Sequence, residues 1–364
     1  MFTKEKLGGG VKHERNFLNY ALFVSFFPQL VAGPIERSRN LIPQFREKHK
    51  FSIDNTVDGL RVILIGLYKK IVIADMLALA VDKIFSAYME LSGLSLLCGV
   101  FMFTIQIYCD FSGYSDVARG SAKLFGFRLM ENFHAPYMSA SIKEFWSRWH
   151  ISLSTWLKDY IYIPLGGSRV NKFRKSINLI IVFLISGIWH GANYTYIFWG
   201  LLHGGLRAIE EIFHNIIDCT HHFRRSKILH VFKVCSTFII VMICWTYFRA
   251  ENLTQGNWFI LHFFEDPDVN LFFKEYISIV KTVMPDIYNI WKIYTGIIGG
   301  SIIFLALCDW CYKYKQKSIS QQLAGFPCPV RWICYYSMII LIMFSFIMTT
   351  NKYGQAGAFL YFQF

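Results

Sequence analysis

Long apolar runs separated by short charged stretches dominate the chain. Runs at residues 16–35, 57–85, 92–109, 177–189, 194–212, 228–248, 291–312 and 331–349 approach or exceed the roughly 18 residues a helix needs to cross a bilayer, which predicts about eight membrane helices. Residues 141–160 follow a different rule. Ile142, Phe145, Trp146, Trp149, Leu153, Trp156 and Leu157 recur at i, i+3, i+4 and i+7 while Lys143, Glu144, Arg148, Lys158 and Asp159 fill the opposite side. That pattern predicts one amphipathic helix lying in the membrane interface, with His150 on its apolar stripe.

Interruptions within the runs carry further information. Pro28 and Pro34 break the first run near its end, and Lys69, Lys70 and Asp75 fall in the middle of the second. Ions at that depth are costly against lipid, so the second helix is expected to pack against protein, with Lys/Asp pairs tying helices together. Asp116 and Arg119, three residues apart, are expected to pair on one helical face. The run at 177–189 has 13 residues and rises only about 20 Å, against a hydrocarbon core about 30 Å thick. The turn His190–Asn193 is therefore expected at membrane depth, re-entrant and lining a watery cavity, because irregular backbone cannot face lipid.

Composition agrees with the periodicity: 54% of the 364 residues are hydrophobic and 17% are charged, which places the chain in the polytopic membrane class as one integral membrane domain over residues 1–364. The net charge of +13 invites a nucleic-acid reading, but Lys and Arg cluster in loops between apolar runs, as the positive-inside rule produces, so no nucleic-acid partner is expected. Basic loops at 37–50, 169–175, 213–227 and 313–317 predict the cytoplasmic side. The acidic stretch after residue 248, with Glu251, Glu265, Asp266, Asp268 and Glu275, predicts the outer side. The polar tail at 1–15 holds Lys4, Lys6, Lys12 and Arg15, breaks that alternation, and shows no cleavable signal peptide. The nine cysteines are scattered through apolar runs and read as core residues; no metal or bound cofactor is expected.

Residues 110–205 form the motif core, because His150, His190 and His203 sit there among aromatics and glycines. A histidine on an apolar stripe is either a satisfied core residue or a reactive group, and both readings apply to His150 and His203. Depth favours function for His190.

Four stretches resemble the membrane-bound O-acyltransferase family: FFPQLVAGPIERSRNLIPQF at 26–45, DFSGYSDVARGSAKLFGF at 110–127, FWSRWHISLSTWLKDYIYIPLGGSR at 145–169 and GIWHGANYTYIFWGLLHG at 187–204. Within that family the chain is similar to the bacterial alginate O-acetyltransferase-like branch, which O-acetylates exported polysaccharides, and the closing AGAFLYFQF is similar as well. The resemblance implies an all-α polytopic protein with interfacial and re-entrant helices around a central tunnel, in a bacterial inner membrane. It assigns catalysis to His190 in WHGA and His150 in RWH, with His203, Asn193, Trp189, Trp199, Asp110 and Arg148 as candidates to support the site or line the tunnel. It further implies acetyl-CoA or an acylated carrier protein as donor, a polysaccharide acceptor, and an extracytoplasmic acetyltransferase partner. Members of this branch carry more membrane helices ahead of the position of Asn16, so the resemblance implies a chain shortened at its N-terminus, by truncation or a late-placed start. Two other readings stay open: D-alanyl transfer from a carrier protein to teichoic acid, and a channel or scaffold for polysaccharide without chemistry.

Overall fold

The computed structural model of the chain describes residues 14–30, 33–218, 227–284 and 290–353. The basic tail residues Lys4, Lys6 and Lys12, the loop with His221, His222, Arg224 and Arg225, and the closing stretch 356–364 lie outside the described residues. Fifteen α-helices and no strand occur among those described. Helices α1 (Phe17–Ser25) and α2 (Ser38–Phe45) precede α3 (Ile53–Leu67), which runs through a π-helical turn at Tyr68–Asp75 into α4 (Met76–Ser86). The long α5 (Gly93–Leu124) leads to two short helices, α6 (Ile142–Arg148) and α7 (Ile151–Leu157). An antiparallel pair follows, α8 (Lys172–His190) and α9 (Tyr194–Asp218). The remainder is α10 (Lys227–Arg249), α11 (Leu253–His262), α12 (Val269–Val283), α13 (Ile290–Lys315), α14 (Ile319–Ala324) and α15 (Cys328–Tyr353).

Five of these helices are long and apolar enough to cross a membrane: Gly93–Leu124, Lys172–His190, Lys227–Arg249, Trp291–Lys315 and Cys328–Thr350. Helix α9 and the unbroken stretch from α3 to α4 have the length of a span but carry ions that face protein. Lys175 of α8 pairs with Glu211 of α9, and Lys69 and Lys70 of the π turn pair with carboxylates of α5. The π turn thus satisfies the expectation of Lys/Asp pairs between helices. Helix α5 is the axis of the bundle, packing against α3, the π turn, α4 and α10. Its first residues sit at the acidic end, where the Gly93 amide donates to the Glu265 carbonyl at 3.1 Å and Ser92 and Ser95 donate to Glu275.

Three expectations are corrected. The first apolar run is no span: its helix covers only Phe17–Ser25, a rise of about 14 Å, and Pro28 opens a short 3₁₀ turn at Phe27–Gln29. The helix expected over 141–160 is broken at Trp149–His150, for a reason given below. Helix α8 begins at Lys172 and includes His190, giving 19 residues and a rise of about 28 Å. A helix of that length is long enough to cross, so its shortness does not hold the His190 turn at mid-depth. The turn instead meets the acidic end, where the Asn193 side-chain Nδ2 donates to the Glu251 carbonyl at 2.8 Å. Arg37, counted in a basic loop, is buried and pairs with Asp159 at 3.0 Å.

Glycines set the approach of α8 to α9. A Cβ at Gly200 would lie 3.3 Å from the Gly187 Cα, and one at Gly204 would lie 2.9 Å from the Ile180 Cα. Neither neighbour is a side-chain end that can swing away. Gly200→Val is expected to force the pair apart and cost about 1–3 kcal/mol as overpacking does. Gly205→Ala, which meets nothing within 4 Å, is expected to leave denaturation in detergent unchanged.

Candidate functional site

The α8–α9 pair brings His190, Trp199 and His203 into one aromatic cluster. The His190 ring meets Trp189, Trp199 and Phe248 edge to face, with centroids 5.0, 5.3 and 5.1 Å away. Trp199 and His203, i and i+4 on α9, stand 5.1 Å apart, and Trp245 of α10 stacks on Trp199 at 5.7 Å. His203 is wholly buried, and its Nδ1 accepts a hydrogen bond from Trp146 Nε1 at 3.2 Å. That bond puts the neutral ring's proton on Nε2, a buried nitrogen with no partner among the described residues. His190 as a residue is half-buried, less enclosed than His203.

His150 enters from α7. It is 3% exposed, stands edge-on to Phe111 at 4.6 Å and lies 6.4 Å from Trp189, so Trp189 stands beside both catalytic candidates. The two histidines are close enough to interact electrostatically. His150 adopts φ 43° and ψ 54°, the left-handed region, which costs an L-residue on the order of 1–2 kcal/mol. The cause lies in residues 131–135. The Ile151 amide donates to the Asn132 carbonyl at 3.0 Å, the Ser152 amide to Asn132 Oδ1 at 3.1 Å, and the His134 amide to the Arg148 carbonyl at 3.0 Å. These bonds take the amides that would continue α6 into α7, so the chain turns at His150 instead.

The other face of the same strap looks into a cavity of about 460 Å³ whose walls include Lys69, Tyr108, Arg119, Lys123, Glu131 and Phe133. Phe133 packs on Phe111 at 5.1 Å and Trp149 at 5.0 Å, so one aromatic layer separates the cavity from His150. Lys123, Arg128 and residues 318–321 place the cavity toward the basic end. Three of its carboxylates are in ion pairs: Asp116 with Lys69 at 2.8 Å and Arg119 at 3.2 Å, Glu131 with Arg119 and with His134 at 2.9 Å, Asp58 with Lys123; the fourth, Asp309, accepts from the Tyr108 hydroxyl. Deeper in, Lys70 bridges Asp110 at 2.6 Å and Asp75 at 2.8 Å.

Burial raises the Glu131 carboxyl, but the hydrogen bond with His134 and the charge of Arg119 outweigh it and hold the group down to about 2. A carboxylate depressed below its ordinary 4.5 stabilises the fold fully above that value and loses the contribution as pH falls toward 2. Unfolding temperature in detergent is expected to fall less steeply below about pH 4.5 for Glu131→Gln than for the parent.

The remaining candidates fall outside the cluster. Asp110 belongs to the Lys70 bridge, and only its neighbour Phe111 reaches His150. Arg148 pairs with Glu144 at 2.8 Å and donates to the His134 carbonyl at 3.1 Å, so it braces the strap and not the histidines. Asn193 caps α9 through the Thr195 amide at 3.1 Å, at the acidic end. Trp245 and Phe248 fall within the apolar run 228–248, and nothing in the sequence singles out Asn132. The sole signal for the first two is a Trp and a Phe three residues apart on one helical face; for Asn132 there is none.

The fold and this histidine cluster define an all-α, multi-pass membrane protein with its polar chemistry concentrated at one place. The profile of the membrane-bound O-acyltransferase family matches residues 9–248, and the chain belongs to that family. It is 45% identical over 245 residues to the probable alginate O-acetylase AlgI of Azotobacter vinelandii, covering 67% of this chain and 47% of that protein. It is equally 45% identical over 243 residues to the peptidoglycan O-acetyltransferase of Helicobacter pylori, covering 66% and 45%. The teichoic acid D-alanyltransferase of Bacillus subtilis is more distant, 29% identical over 228 residues, covering 57% and 55%. The chain spans about half the length of these relatives.

Proposed function

We propose that the protein is an O-acetyltransferase that carries acetyl from a thioester on the cytoplasmic side of a bacterial inner membrane to a hydroxyl of an exported polysaccharide. The observation that carries this reading is the pairing of a half-buried His190 with a buried His150 on either side of Trp189, in a chain more similar to the O-acetylases than to the D-alanyltransferase above. A hydroxyl attacks a thioester slowly unless its proton is removed, and a neutral imidazole suits that task near neutral pH. His190 takes the hydroxyl proton as the new C–O bond forms, or carries the acetyl group transiently itself. The tetrahedral intermediate places charge on the carbonyl oxygen, which His150 stabilises in a site poor in water. Collapse breaks the C–S bond, and the thiolate leaves with the proton held by His190. No cofactor enters the reaction.

The basic loops at this end suit an anionic donor, acetyl-CoA or an acylated carrier protein, while inside the cavity Lys69, Arg119, Lys123 and Arg128 are matched in number by Asp58, Asp116, Glu131 and Asp309. The acetyl group passes onward to the polysaccharide directly or through an extracytoplasmic acetyltransferase partner. The test gives purified protein labelled acetyl-CoA, acetyl-loaded carrier or D-alanyl-loaded carrier. Acetyl release from one of the first two supports the reading; turnover of D-alanine alone replaces it with teichoic acid chemistry.

A further inference from the structure

We infer that Asn132 is the positioning residue that holds His150 in its reactive orientation. The inference rests on the proposed role of His150 and adds to it. Asn132 is 1% exposed, and it accepts from two consecutive amides at the start of α7, Ile151 through its carbonyl and Ser152 through Oδ1. His150 precedes both, at the N-cap position, and its own side chain makes no capping bond. Asn132 therefore caps the helix in place of the residue that normally would, which leaves the imidazole out of the cap, edge-on to Phe111 at 4.6 Å and 6.4 Å from Trp189, with its Nδ1 buried without a partner among the described residues. The Asn132 amide nitrogen is likewise buried without a partner among them, so the acceptor atoms are what the position uses. An aspartate keeps those acceptors; an alanine removes the side-chain one and leaves the left-handed backbone at His150 with half its support.

The full chain in detergent is treated with diethyl pyrocarbonate, and modification of His150 is followed by peptide mass. His150 is expected to react slowly in the parent and in Asn132→Asp, and at least about fivefold faster in Asn132→Ala, because a histidine freed of its packing becomes accessible. In parallel, kcat for acetyl transfer is expected to fall at least about tenfold in Asn132→Ala with KM for the donor unchanged, to recover in Asn132→Asp, and to show no further loss when Asn132→Ala is added to His150→Ala. Asn132→Ser, a shorter acceptor, gives the same signs with smaller size should the alanine variant not fold. Unchanged His150 reactivity in the alanine and serine variants overturns the inference, as does an additive loss in the His150→Ala background. A parent that transfers no acetyl sinks the proposed function, while the reactivity comparison still decides the role of Asn132.

Discussion

Replacing His190 with alanine is expected to lower acetyl transfer about 10²- to 10⁴-fold, the range that a positioned general base supplies. The ring is packed edge-on against Trp189, Trp199 and Phe248, so the alanine variant also leaves a void. His190→Gln fills more of it with a polar group that cannot take the proton. Both variants are expected to lose transfer alike, while unfolding in detergent shifts more for alanine, since packing and proton transfer respond to different properties of the side chain. His150→Ala is expected to lose less than His190→Ala at saturating donor, because charge stabilisation by His150 helps a step that His190 still initiates. Full transfer by His190→Gln assigns the base elsewhere.

Lys69→Met is expected to be the most destabilising single change in the basic half, by about 3–5 kcal/mol, because removing one member of a buried ion cluster leaves its partners charged and unpaired. Lys69 is buried, lies 2.8 Å from Asp116 and sits over the Tyr108 ring, whose hydroxyl donates to the buried Asp309 at 3.1 Å. Asp116 retains Arg119, whereas Asp309 forms no ion pair among the described residues and feels Lys69 only through its longer-range charge. Adding Asp309→Asn to Lys69→Met is therefore expected to restore about half of the loss, read as the denaturation midpoint in detergent. Equal midpoints for Lys69→Met and the parent would mean that the cluster is solvated and its charges interchangeable.

The sequence announced the membrane class, the helical content and the ion pairs of the π turn, because each follows from composition and one-dimensional period. Lys69 and Lys70 in an apolar run have few alternatives to a carboxylate on a neighbouring helix. The break at His150 was hidden: Trp149 and Ile151 both obey the apolar stripe, and the competing acceptors on Asn132 come from residues remote in the periodic pattern. The length of α8 was underestimated because its charged first turn, Lys172 to Lys175, reads as loop by hydropathy although its amides are helical and Asn171 caps them at Arg174. The partnership of His190 with Trp199 and Phe248 belongs to tertiary packing, which no local pattern encodes. The resemblance assigned catalysis to both His150 and His190, but their placement on either side of Trp189 is visible only in three dimensions.

The most direct test seals the protein in vesicles with labelled acetyl donor enclosed on the side of the basic loops and a polysaccharide acceptor outside. Label joined to the outer acceptor, lost in His190→Gln, is the predicted result. Label that stays on the donor in the parent, or that reaches the acceptor equally with and without His190, contradicts an acetyl transfer carried out by this histidine.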